Sequence, residues 1–345
     1  MRAAVFHGPG RLEVADRDVP RVGPDEVLVK MGATTLCGTD VRILRGEKTS
    51  GVDPPTVLGH EIAGRVERAG RRVSGYDAGV PVGIVPVVAC GRCFYCRRGM
   101  ENTCARQVRF GYQIEGGLSE YVRVPAAAVA AGNLVVAGRE LPPEQLALAE
   151  PLSCCVNGHQ RSRIGVGDTV LVLGAGPIGL LHVQLALLAG AGTVVVSEPA
   201  EPRRGFAGRL GAHVLIDPDD ADVGEAVADV TDGRGADSTI VCIGVPALVD
   251  DALRVTRAGG VVNVFAGLAG EGWAHVQANL IHYKELVVTG TTGSGRAHYA
   301  TAVGLIERGQ VDVGSLVTHR FPLASAAEAL DATAGGEGIK VAVLP

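Results

Sequence analysis

The sequence predicts an α/β protein of two domains: a β-barrel-like domain made of short strands, and a doubly wound parallel sheet. Three observations carry that expectation. Residues 1–130 are rich in short strand candidates broken by Gly and Pro. From about residue 165, apolar strand candidates alternate with helical stretches, the pattern of a parallel sheet with right-handed crossovers. The chain has 345 residues, 47% of them hydrophobic, which is enough for two sizeable cores.

Taken in order, MRAAVFHGPGRLEV at the start reads as strand, turn and strand. Strand candidates follow at 26–31 (EVLVKM), 61–70 (EIAGRVERAG) and 81–88 (PVGIVPVV), with alternating apolar and polar residues. On this stretch alone a generic all-β binding module stays open. The run GDTVLVLGAGPIGLLHVQLALLAGAGTVVVSEP then reads as buried strand, Gly-rich turn, apolar helix and second buried strand. Further strands are expected at 213–216, 238–244, 259–267 and 284–290, with a helix at 201–212. The last 50 residues are expected to hold one helix, at 299–309, and strand-like ends that return to the first domain. No internal repeat or low-complexity linker interrupts the chain.

Composition narrows the function classes. Net charge is −5 with acids and bases interspersed, so no basic stripe invites nucleic acid. No apolar run approaches the roughly 20 residues that cross a bilayer, so no membrane association is expected. No secretory signal is expected either. The 8 cysteines then meet a reducing cytoplasm, where clustered Cys signals metal or catalysis more often than disulfide.

Four of those cysteines, Cys90, Cys93, Cys96 and Cys104, lie in CGRCFYCRRGMENTC with spacing C-x2-C-x2-C-x7-C. Four thiolates held this closely reach one tetrahedral ion, zinc or the iron of a cluster. A closed four-thiolate site leaves no position for a substrate, which makes this a structural metal.

Gly174, Gly176 and Gly179 form G-x-G-x-x-G between the strand TVLVL and an apolar helix. An acidic residue, Glu198, ends the next strand 19 residues later. That context marks a dinucleotide site: a tight turn at Gly174, close approach of backbone to pyrophosphate at Gly176, and close helix–strand packing at Gly179. Glu198 accepts hydrogen bonds from a ribose diol and repels a 2′-phosphate, favouring NAD over NADP. Arg203 and Arg204 are able to pair with phosphate and soften that preference.

A second metal set is spread along the chain. Cys37 lies in TLCGTD, His60 and Glu61 in VLGHEIAG, and Glu150 in the apolar stretch LALAEPLSCCV, where a carboxylate needs a cation or partner. Cys, His and carboxylates together make a plausible zinc set. Singly, each also reads as an ordinary core or surface residue. Cys154 and Cys155 read as small core residues.

With these motifs assembled, the chain resembles the zinc-dependent medium-chain dehydrogenases of the alcohol dehydrogenase superfamily, in the branch of sorbitol (polyol) and threonine dehydrogenases. The resemblance rests on Cys37-Gly-Thr-Asp, Gly59-His60-Glu61, the four-Cys lobe, Glu150-Pro-Leu, GAGPIG at 174–179 and THRFPL at 318–323, and covers nearly the whole length. It implies a GroES-like β-barrel catalytic domain made of both chain ends, 1–152 and 292–345, with a Rossmann NAD-binding domain at 153–291. It implies two zinc ions per chain, one structural in the four-Cys lobe and one catalytic on Cys37, His60 and Glu61, with Glu150 as fourth ligand directly or through water. Thr39 would relay a proton, and Gly176, Pro177, Ile178, Glu198 and Arg203 would bind NAD. A homotetramer or homodimer is expected by the same analogy.

Two departures shape the expected substrate. Many relatives carry His where this chain has Arg42, and Arg does not exchange protons near neutral pH. Arg42 is expected either to contact an anionic group or to be an ordinary surface residue. An Arg-Tyr pair of mammalian-type sorbitol dehydrogenases is replaced by Gly293-Ser294. Phe110 and Tyr112 are expected to line the pocket. The implied reaction is hydride transfer between a secondary alcohol of a polyol, sugar or (amino)cyclitol and NAD, giving the ketone. The alternatives are a threonine-like amino-alcohol dehydrogenase and a non-catalytic NAD-binding protein; a zinc-independent reductase is disfavoured by the intact Cys37, His60 and Glu61.

Overall fold

The computed structural model describes residues 1–336 and 338–345. It divides into two compact units, Met1–Ser153 with Ser294–Pro345, and Cys154–Gly293.

The first unit is built on a seven-stranded, mostly antiparallel sheet. Its path runs Leu134–Val136, Pro81–Ile84, Glu61–Ala69, Val27–Thr35, Lys340–Leu344 and Val317–Pro322, with Tyr121–Val124 also pairing onto Val27–Thr35. Alternation decides what each strand buries: Val27, Val29 and Met31 point into a core shared with Ile62, Ile84 and Val122. The expected strand at 81–88 is split into Pro81–Ile84 and Val87–Val88, with Pro86 between them, since Pro cannot donate to a ladder. A three-stranded sheet places Arg2–Gly8 between Arg11–Asp16 and Thr56–Val57.

The C-terminal stretch differs from expectation by one helix. Besides Arg296–Glu307 there is Ala326–Gly335, read from AAEALDATAG. Alanine is the best helix former, and Ala326, Ala329 and Leu330 seat this helix against Val341 and Val343. Its short small-residue stripe gives a weak apolar period, so the sequence did not announce it.

The second unit is a six-stranded parallel sheet in the spatial order Val214–Ile216, Thr193–Ser197, Thr169–Leu173, Ala236–Val241, Thr256–Val264, Val287–Gly290. In chain order this is 3-2-1-4-5-6, the doubly wound arrangement of dinucleotide-binding sheets. Leu171, Val195, Val241 and Val262 are buried in its core. Near-continuous apolar strands follow from burial on both faces.

Candidate active site and metal centres

Cys37, His60 and Glu61 come from two strand ends of one sheet. Val27–Thr35 delivers Cys37 to the N-cap of the short helix Gly38–Leu44. Glu61–Ala69 runs antiparallel beside it, with Thr35 directly opposite Glu61. The turn before His60 needs Gly59, whose φ is +90° and whose added Cβ would lie 2.7 Å from Thr34 Cγ2. The three ligand atoms lie within 4.8 Å of one another.

Their surroundings suit a metal. The Nδ1 of His60 is 3.1 Å from Asp40 Oδ1, and Asp40 is fully buried. Asp40 Oδ2 accepts from the Cys37 backbone N–H at 3.0 Å. This carboxylate fixes the ring and leaves Nε2 for an ion, as carboxylates hydrogen-bonded to metal-binding histidines do. Burial opposes charge on His60, but facing Asp40 and Cys37 holds its pKa well above the usual value. Asp40 was not singled out from the sequence; its signal was an acid three residues after Cys37, at the third helical position.

Glu61 is 1% exposed and doubly held. Lys340 Nζ donates to Oε1 at 2.6 Å, and the Thr35 hydroxyl donates to Oε2. Lys340 is itself buried; burial opposes its charge, and Glu61 together with Cys37 and Glu150 outweighs that and raises its pKa. Each carboxylate oxygen has a further lone pair, so Glu61 remains a competent ligand. Glu150 lies in the first turn of the helix Ala149–Ser162 and is half-buried. It stands outside the three-residue cluster, yet its charge is felt at Lys340 and Tyr299. Thr39 is half-buried in the first turn after Cys37.

The expected pocket residues part ways. Tyr112 stands edge-on to His60, with ring centroids 6.1 Å apart. Phe110 has no exposed surface and is packed among Ile62, Ile84 and Val88 as a core residue. Arg42 is exposed on the helix Gly38–Leu44 and lies 3.9 Å from Glu47. Ser294 is buried, its hydroxyl 2.6 Å from that of Ser153.

The four-Cys lobe brings Cys90, Cys93, Cys96 and Cys104 within 4.8 Å of one another. A tetrahedral ion with metal–sulfur bonds of about 2.3 Å sets sulfurs about 3.8 Å apart. Cys93 Sγ is 3.5 Å from Cys96 Sγ and 3.9 Å from Cys104 Sγ. Backbone N–H groups favour thiolates: the N–H of Arg92 leads in lowering the Cys90 pKa to about 6. The donor set therefore fits zinc. All 8 cysteines are free thiols.

In the second unit, Gly176 caps the helix Pro177–Leu188, with Pro177 at its first position and Ile178 following. Gly174 has φ +98°. A Cβ on Gly179 would meet the carbonyl oxygen of Gly174 at 1.9 Å, so only glycine permits this packing. A Cβ on Gly176 would meet nothing within 4 Å, leaving backbone open to a phosphate. Glu198 is 5% exposed and turned to the loop: Oε2 accepts from Ala175 N–H at 2.7 Å and Oε1 from Ala200 N–H at 3.1 Å. Arg204 is committed to carbonyls of Glu198 and Pro199, both at 2.7 Å, and to Asp217 at 3.0 Å. Arg203 is half-buried one residue before it.

Comparison with known proteins places these features in a family. The alcohol dehydrogenase GroES-like domain matches residues 23–133, and the zinc-binding dehydrogenase domain matches residues 177–308. The L-threonine 3-dehydrogenase of Pyrococcus furiosus is 35% identical over 90% of this chain and 88% of its own. An alcohol dehydrogenase of Cupriavidus necator is 34% identical over 100% of this chain and 99% of its own. Among solved structures, one described as a zinc-binding dehydrogenase from Sinorhizobium meliloti 1021 bound to NADP superposes with TM-score 0.93 and 35% identity, covering 100% of this chain and 99% of that one.

Proposed function

This chain belongs to the zinc-dependent medium-chain dehydrogenases of the alcohol dehydrogenase superfamily, an α/β fold with a GroES-like and a Rossmann domain, and we propose that it oxidises a secondary alcohol of a polyol, sugar or (amino)cyclitol to the ketone with NAD. The observation that carries this reading is the convergence of Cys37, His60 and Glu61 within 4.8 Å, braced by Asp40 and Lys340. Cys37, His60 and Glu61 hold the catalytic zinc, with Glu150 as the fourth ligand, directly or through water. When bound, that ion supplies Lewis acidity at the alcohol oxygen.

The chain's own residues do the rest. Asp40 keeps the His60 ring in one orientation, and Lys340 with Thr35 fixes the Glu61 carboxylate. Thr39 passes the hydroxyl proton onward, which a neutral hydroxyl does as a relay rather than as a base. Gly174, Gly176, Pro177, Ile178 and Gly179 hold the cofactor pyrophosphate at the helix start. Glu198 keeps that loop in shape, and with Arg203 it would bind the adenosine ribose. NAD is favoured by the carboxylate of Glu198. Cys90, Cys93, Cys96 and Cys104 hold a structural zinc. We assign both zinc sites to 1–152 with 292–345, and NAD binding to 153–291. A cytoplasmic location is supported by the free thiols, and a homodimer or homotetramer by family resemblance.

A second reading, oxidation of a threonine-like amino alcohol, is favoured by the 35% identical L-threonine 3-dehydrogenase. Initial rates of NADH formation across polyols, cyclitols, aminocyclitols and threonine, run with NAD and NADP in parallel, separate the two. A preferred polyol or cyclitol with NAD is the expected result. Threonine as the sole good substrate would establish the second reading, and equal efficiency with NADP would overturn the cofactor preference.

A further inference from the structure

Two cations lie over Tyr112, the ring that stands edge-on to His60, and a third, Arg42, stands near one of them. Lys48 Nζ lies 5.5 Å and the Arg109 guanidinium 5.6 Å from the Tyr112 ring centroid. Arg42 joins them through the chain, its carbonyl accepting from the backbone N–H of Glu47 at 2.9 Å and of Lys48 at 3.2 Å. Among the described residues neither Lys48 nor Arg109 is paired with a carboxylate, and Arg42 has only a weak partner. Arg42 and Glu47 are 3.9 Å apart and both about half exposed, a pair that water and salt weaken. Arg109 Nε donates to the neutral Gln107 Oε1 at 3.2 Å. Among the described residues the Lys48 ammonium has no ion pair.

Like charges drawn together at a half-buried position repel one another, and the repulsion grows as water is excluded. Lys48 shows the consequence: burial, then Arg109 and Arg42, lower its pKa, and only the nearby Cys37 acts in the other direction. An anion placed among these groups would relieve the repulsion. Guanidinium groups are suited to carboxylate and phosphate oxygens, which they bind in pairs.

We propose that Lys48, Arg109 and Arg42 form an oxyanion subsite beside the catalytic metal pocket, and that the alcohol this enzyme oxidises carries a carboxylate or phosphate ester. The inference rests on the alcohol-oxidising reading above and narrows it. Polyhydroxy acids and sugar phosphates are favoured over neutral polyols, and aminocyclitols, which bring an ammonium to three cations, are disfavoured. Threonine is an intermediate case, with a carboxylate to bind and an ammonium to repel.

The test is a set of initial-rate measurements on matched pairs of secondary alcohols: gluconate with sorbitol, glycerol 3-phosphate with glycerol, and 3-hydroxybutyrate with 3-hydroxybutanamide. The expected result is an anionic-to-neutral ratio of kcat/KM of about tenfold or more in the oxidised pair. Lys48→Met should reduce that ratio about tenfold, through KM of the anionic alcohol, and Lys48→Arg should restore it. A ratio near one in the unmodified enzyme, or oxidation of neutral members alone, overturns the subsite and leaves alcohol oxidation standing. If Lys48→Met raises KM for NAD and leaves the ratio unchanged, the cations serve a cofactor phosphate and the proposal is wrong. If no alcohol of either kind is oxidised, the parent reading fails and takes this one with it.

Discussion

Glu61 and Lys340 are 1% and 4% exposed, so the pair carries its charge in a low-dielectric interior. Such a pair adds little net stability, but removing one partner strands the other. Lys340→Met should therefore destabilise the metal-free protein by about 3–5 kcal/mol, read from denaturant midpoints. Adding Glu61→Gln should recover much of the loss; no recovery would mean Lys340 acts by packing alone. Asp40→Asn should lower zinc affinity about 10–100-fold in competition with a chelator, while leaving the circular dichroism unchanged. These supporting residues were the least legible in the sequence. Lys340 and Glu61 are 279 positions apart, and only the register of Lys340–Leu344 against Val27–Thr35 brings them together. The proposed ligands Cys37, His60 and Glu61 were recognisable by motif, whereas a single lysine in IKVAVL carries no pattern.

At the scale of elements, local chemistry reads most directly from sequence. The four-Cys lobe and the glycine loop are legible because each closes within about fifteen residues or fewer. The helix Ala326–Gly335 is not, because small residues leave little periodic contrast. What the lobe leans on is also hidden. Glu101 accepts from the Arg296 backbone N–H and from its Nε, each at 3.1 Å, which ties the lobe to the first turn of the helix Arg296–Glu307. The Arg296 hydrogen bond is the main cause that lowers the Glu101 pKa. Its stabilisation is therefore present above the ordinary glutamate pKa and is lost as pH falls through the depressed one. Glu101→Gln should release lobe zinc to a colorimetric chelator faster at neutral pH, for a loss of about 1 kcal/mol or less given the partly exposed arginine. The difference from the unmodified protein should shrink as the pH is lowered past that value. A constant difference would rule out the carboxylate charge as its source.

At the scale of the whole molecule, the proposed metal ligands lie in the unit Met1–Ser153 with Ser294–Pro345, and the glycine loop in Cys154–Gly293. Chemistry and cofactor binding should then be separable. Cys37→Ser is expected to abolish turnover while the dissociation constant for NAD, from fluorescence titration of NADH displacement, changes less than about threefold. Retained turnover would refute the assignment of Cys37 to the catalytic zinc. The doubly wound sheet could be read from alternating strands and helices, since each crossover is local. The return of the C-terminal stretch to the other unit could be read from its strand-like ends, but nothing in 294–345 by itself says that its last strand pairs with Val27–Thr35.

That last strand carries a consequence for biosynthesis. In order of synthesis, Cys37, His60, Glu61 and the four cysteines of the lobe are all made by residue 104, long before Lys340. The four-Cys lobe is able to capture its ion during translation, because every ligand is local. The proposed catalytic centre is complete only once Lys340–Leu344 has been made and pairs beside Val27–Thr35, bringing the ammonium that meets Glu61. A chain cut before Lys340 is then expected to keep a sound four-Cys lobe beside a Glu61 that has lost its ammonium partner.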